Sequence, residues 1–206
     1  MEKFIQESLR LGITPTFLSM IYGQENLVKN EFGDYEKKFC PGNYERFSLA
    51  AREEVVRETA AAIDNWDDCL NALKKQRYEQ SMPEGTYMAT VKSPSYSLFK
   101  EFVLLTDNML ISGNISDLQE LRLWMRVGVN RNMIMYCVNR SLHYLCCYGN
   151  VHMFHYVLEN FPVRFHQGEK DSYLRRVEQR KDCFSSKDAY DKCRQIISIR
   201  GIGNLV

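Results

Sequence analysis

Two stretches 36 residues apart share one grammar: an apolar run at helical spacing, a Gly-Asn pair, and a second apolar run. The upstream copy is Asn108-Met109-Leu110-Ile111-Ser112-Gly113-Asn114-Ile115-Ser116-Asp117-Leu118-Gln119-Glu120-Leu121. The downstream copy runs from Arg140 through Ser141-Leu142-His143-Tyr144-Leu145-Cys146-Cys147-Tyr148-Gly149-Asn150 to Val151-His152-Met153-Phe154-His155-Tyr156-Val157-Leu158. Glycine at the hinge permits a positive φ that most side chains resist, and Met153, Tyr156 and Val157 fall on one face at a 3.6-residue period. A unit recurring near this length predicts helical hairpins stacked side by side, each burying a face that it cannot cover alone.

The downstream copy resembles the ankyrin repeat. Leu142 and His143 match the Leu-His of the family's Thr-Pro-Leu-His, Leu145 and Cys146 stand at its two small residues, and Gly149-Asn150 at its turn. Gly113-Asn114 matches the turn again, and Val127-Gly128-Val129-Asn130 resembles the exit. Arg140-Ser141 replaces Thr-Pro, Phe161-Pro162 replaces a Gly-Ala exit, and Gly128 comes one helical turn late, which lengthens the period beyond the usual 33 residues. The resemblance implies a projecting β-finger over Met133, Ile134, Met135, Tyr136 and Val138. It also implies a non-catalytic protein-binding function, with Arg126, Asn130, Arg131, Met133, Arg140, Tyr144 and Tyr148 as contact residues; tyrosine and arginine are frequent interface anchors. Small proteins of this kind resemble host-interaction factors of large DNA viruses and intracellular bacteria.

The expected fold is mainly α: a helical region over 1–80, a linker or short extended segment over 81–103, and repeats with C-terminal capping helices over 104–206. In the first region, Phe4 to Leu11, Thr14 to Tyr22 and residues 24–32 read as short helices stopped by Gly12, Gly23 and Gly33. Asn43 is placed to cap a long helix from Tyr44 to Glu79. Val56, Ile63 and Leu70 repeat every seven residues in it, as do Thr59, Trp66 and Leu73, and Asp64-Asn65 is the point where it would bend or break. This seam reads as packing within its own domain, with a dimerising coiled coil the alternative. Ser81 to Gly85 and Pro94 mark boundaries, and the alternation from Thr86 to Lys92 suggests extended chain. Phe102 to Leu105 opens either a strand or the first repeat helix.

Two other chemistries compete. His143, Cys146, Cys147, His152 and His155 put imidazoles and thiols close in sequence, a ligand set suited to zinc, although the spacing is not that of a finger. Cys147 with His143 or His152 offers a nucleophilic pair, and packing inside a helix pair is the plainer account. Residues 164–200 hold ten Lys/Arg against six Asp/Glu. They serve either as a solvated capping pair, with Ser185-Ser186 starting a helix from Lys187 to Arg200, or as an RNA-binding surface. The chain has no phosphate-binding glycine loop, nucleophile elbow or His-Glu-x-x-His, so no enzyme and no cofactor is expected. A net charge of +1 makes nucleic acid an improbable partner for the whole chain. An acidic N-terminus, apolar runs too short for a membrane span and seven cysteines without a secretion signal point to reduced thiols in the cytoplasm or nucleus.

Overall fold

The structure, a computed structural model, describes residues 27–29, 35–37, 48–163, 165 and 167–200. A two-stranded antiparallel ladder pairs β1 (Leu27–Lys29) with β2 (Tyr35–Lys37), Val28 opposite Glu36. Thus the piece expected as helix over 24–32 contains a strand. The expected helices before it and the Asn43 cap lie outside the described residues.

Everything else is helical, with nine α-helices among the described residues. The helix expected over 44–79 is two: α1 (Leu49–Ala61) and α2 (Trp66–Gln76). The break has a local cause. Asn65 leaves the helical region, with φ −141° and ψ 87°, and its side chain accepts the Asp68 amide at 3.1 Å, which starts a new helix. Asp67 and Asp68 stand in the first turn and Lys74 and Lys75 in the last, each favourably placed against the helix dipole. The seam residues Val56, Thr59, Ile63, Leu70 and Leu73 are buried within the protein's own core.

The segment expected as extended is α3 (Glu84–Val91), which packs on α2. Its threonines fit a helix because Thr90 Oγ1 donates to the Thr86 carbonyl at 2.9 Å. Lys75 holds its start, bonding the Met82 carbonyl at 2.8 Å and Glu84 at 2.6 Å. Pro94 marks the expected boundary, opening α4 (Pro94–Ile111) just after α3 ends: Ser93 Oγ accepts the Tyr96 amide, with proline at the first helical position. Phe102 to Leu105 therefore lie mid-helix. After Gly113 come α5 (Ile115–Arg126), α6 (Arg131–Cys147), α7 (Val151–Asn160), α8 (Gln167–Gln179), a single 3₁₀ turn at Lys181–Cys183, and α9 (Lys187–Ile199). The last two are the helices expected there, and Ser186 caps α9 through the Ala189 amide.

The expected β-finger over 133–138 is also helix. Asn130 Oδ1 accepts the Met133 amide at 3.0 Å and starts α6, while Met133, Ile134, Cys137 and Val138 form a fully buried face at i, i+1, i+4, i+5. The two Gly-Asn hinges also differ. Gly113 takes φ +85° with open space around it. Gly149 does not take the positive φ expected of it. It is needed for closeness: a Cβ there would sit 2.8 Å from Leu145 Cα. A succession of helix, Gly-Asn and helix recurs at 36 residues, but its turns are built on different physics.

The chain divides into two compact units. One comprises Met1–Leu105 with Arg122–Met133, the other Thr106–Leu121 with Ile134–Val206. The first has an aromatic core. Trp66 lies edge-on to Phe99 with centroids 6.0 Å apart and against Phe102 at 5.5 Å, and Phe102 meets Trp124 at 5.4 Å and 88°. Such edge-to-face pairs add about 0.5–1.5 kcal/mol each beyond their area. In the second unit, α9 packs on α7 and α8, and Tyr173 stacks on Phe154 and meets Phe165 at a tilt of 57°.

Helix C-termini leave carbonyls without helical partners, and cations from elsewhere in the chain fill some of them. Arg180 Nη1 donates to the Cys146 carbonyl at 2.8 Å and Nη2 to the Gly149 carbonyl at 2.6 Å, closing α6. Arg200 reaches the Phe161 carbonyl after α7 at 2.7 Å, and Lys170 the Ser198 carbonyl in α9 at 2.5 Å. Replacing Arg180 with methionine keeps the apolar stem but strands these carbonyls, so a loss of about 2–3 kcal/mol in denaturant unfolding is expected. The α2 and α5 ends close on backbone bonds, Glu79 N to Lys74 O at 2.9 Å and Val129 N to Trp124 O at 3.0 Å, a span that Gly149 N to Tyr144 O at 2.9 Å repeats at the end of α6. The left-handed residue is Gly128 after α5 and Tyr78, φ 59°, after α2. Tyr78→Gly is therefore expected to raise stability by about 0.5–1 kcal/mol and Gly128→Ala to lower it by about 1–2 kcal/mol, opposite signs at equivalent positions.

Candidate functional site

The predicted contact residues separate into two groups. Arg126 ends α5 and Arg131 opens α6, both exposed, and half-buried Asn130 spends its side-chain oxygen on the α6 cap. Met133 is fully buried and presents no surface, which removes it from the contact set. These four belong to the first compact unit.

Arg140, Tyr144 and Tyr148 lie in the second unit, and their spacing of four puts them in one gently drifting stripe along α6. Tyr148 continues the helical bonding past Cys147, its amide donating to the Tyr144 carbonyl at 2.8 Å. The Tyr144 and Tyr148 rings are 6.2 Å apart and 47% and 73% exposed. Sequence reasoning missed the residue that extends the stripe downwards. Tyr136 lies one turn below Arg140, whose guanidinium sits 5.7 Å from its ring centroid. The signal was present in the interval 136, 140, 144, 148, but an extended finger cannot place those side chains together. The pairing of Arg140 Nη2 with Asp107 on α4 was not legible either, since it joins helices far apart in sequence. Both partners are partly exposed, so this pair orients the guanidinium more than it stabilises the fold.

The proposed zinc ligands do not converge. Among the described residues, no group of three or more His, Cys, Asp or Glu could hold a metal ion. Cys146 is buried, whereas His143 and His152 are exposed, and His155 turns towards Glu159 on its own helix at 3.4 Å. Helix geometry is the reason, because Cys146 and Cys147 point about 100° apart around α6. The thiol of Cys147 does approach His143, at 3.7 Å from Nε2 and 3.9 Å from Nδ1. Near-equal distances to both nitrogens place the sulfur beside the ring rather than on a nitrogen lone pair, a packing contact rather than a base aimed at a nucleophile.

The six described cysteines are free thiols. Burial pushes the Cys146 and Cys193 thiols up to about 12 and Cys69 to about 11. Since only thiolates react readily, these three behave as small apolar side chains. No helix among the described residues is long and apolar enough to cross a membrane. Compared with family models, with curated proteins and with solved structures, the chain matches none.

The burial pattern sets an order of thiol reactivity. With a maleimide at neutral pH and peptide mapping by mass spectrometry, Cys183 is expected to label first and half-buried Cys147 more slowly. Cys69, Cys146 and Cys193 are expected to label only on unfolding; fast native labelling of Cys146 would contradict the packing described.

Proposed function

We propose that the chain is a non-catalytic protein-interaction module whose contact surface is the stripe on α6. One observation carries the reading: two tyrosines one helical turn apart are left 47% and 73% exposed, although each could cover substantial apolar surface if buried. Tyrosine and arginine together at one site are the residue types most enriched where binding energy concentrates. The scaffold beneath is rigid in the way a binding surface requires. The opposite face of α6 is fully buried, and Arg180 closes the helix end just beyond Tyr148.

The basic C-terminal region favours this reading over RNA binding, since three of its ten Lys/Arg bond backbone carbonyls and two more pair with carboxylates. Lys170, Arg180 and Arg200 bond backbone carbonyls, Lys192 pairs with Asp188 at 2.8 Å, and Arg194 approaches Glu178 at 3.9 Å. Cations committed this way are poorly placed to track a phosphate backbone.

The test is affinity capture from cells in which the chain is naturally made, comparing the native chain with Tyr144→Ser/Tyr148→Ser. Both side chains are exposed, so circular dichroism and melting should be unchanged within about 0.5 kcal/mol. Proteins held by the native chain should be lost from the variant. An identical set captured by both would reject the stripe as the contact surface.

A further inference from the structure

The partner's chemistry is written in the middle of the stripe. Arg140 is held from two sides, by Asp107 through Nη2 and by the Tyr136 ring. Its side chain remains 33% exposed, and among the described residues its Nε and Nη1 donors have no hydrogen-bond partner. A guanidinium presents five donors in a planar fork, so one carboxylate does not saturate it. Pinning from behind removes much of the rotamer entropy that a flexible arginine loses on binding. Apart from Asp107, which comes from α4, the helix that carries Arg140 adds no negative charge. The 17 residues of α6 include Arg131, Arg140 and His143 but no carboxylate, and His152 is exposed just past the turn. One and two turns above the fork stand the exposed Tyr144 and Tyr148 rings.

We propose that the stripe accepts an acidic, partly apolar peptide segment of a partner protein. A carboxylate of the partner docks on the outward donors of Arg140, and a neighbouring apolar side chain lies against Tyr144 and Tyr148. Each N–H to carboxylate bond made there is charge-assisted, and so shorter and stronger than a neutral one. The aromatic pair supplies apolar area at little entropic cost, since each ring has only two side-chain torsions to fix. Arg140 selects the charge, while the tyrosines hold whatever apolar residue follows it. This inference rests on the reading of α6 as a protein-contact surface.

The experiment uses the full chain and fluorescence polarisation with short labelled probes. Three are peptides alternating leucine with aspartate, serine or lysine, and the fourth is an oligouridine of equal length. The Asp-Leu peptide is expected to bind at least about tenfold tighter than Ser-Leu, a preference of about 1.4 kcal/mol. That preference should vanish in Arg140→Met/Asp107→Asn, which removes the fork without orphaning a carboxylate, and shrink in Arg140→Lys, which keeps the charge alone. Tyr144→Ser/Tyr148→Ser should weaken both peptides. Equal Asp-Leu and Ser-Leu binding, both lost with the tyrosines, would overturn the acidic preference while leaving the contact surface standing; so would a preference for Lys-Leu. Binding of oligouridine alone, or of no probe, would overturn the preference and the contact surface together.

Discussion

Unpaired carbonyls at helix ends are the constraint that the second compact unit is built around. A helix that stops leaves its last carbonyls facing outward, and burying them unsatisfied is costly. Glycine in a left-handed cap would settle the matter locally, and α5 does this with Gly128. The end of α6 cannot use the same device, because Gly149 is pressed against the Leu145 backbone without a positive φ. A guanidinium from beyond α8 serves instead, bridging Cys146 and Gly149. It adds to the backbone bonds that turn the chain there, the Tyr148 and Gly149 amides donating to the Tyr144 carbonyl at 2.8 and 2.9 Å.

Reading the C-terminal charges this way changes their meaning. Ten basic residues in a short stretch look like a surface for polyanions. Three of them are spent on the dipoles of neighbouring helices, where cations are favoured on electrostatic grounds alone. Charge composition counts these residues but cannot say which face inward, because that depends on contacts spanning about thirty residues or more.

Helix identity was legible wherever apolar period and cap agreed. Ser186 with Tyr190, Cys193 and Ile197, and Asn150 with Met153 and Val157, located α9 and α7 well. The failures share one cause, a local signal read without its tertiary context. The Thr86 to Lys92 alternation looked extended because β-branched residues favour strands, yet Lys75 pins the segment as helix. The finger at 133–138 came from family geometry, whereas the Asn130 cap and a wholly buried face carry the helix straight through it. Of the contact residues, those at i+4 intervals on α6 came together, because a helix converts that spacing into adjacency. Asp107 carries no such mark, so the pinning of Arg140 had to be seen in three dimensions.

The distance along the chain between each helix end and the side chain that closes it has a consequence for synthesis. Cys146 waits for Arg180, and Phe161 waits for Arg200, the last described residue. A nascent chain emerging amino end first therefore makes α6 and α7 well before the groups that finish them. The ends of α6 and α7 are thus completed only once residues 34 and 39 positions further along have been made.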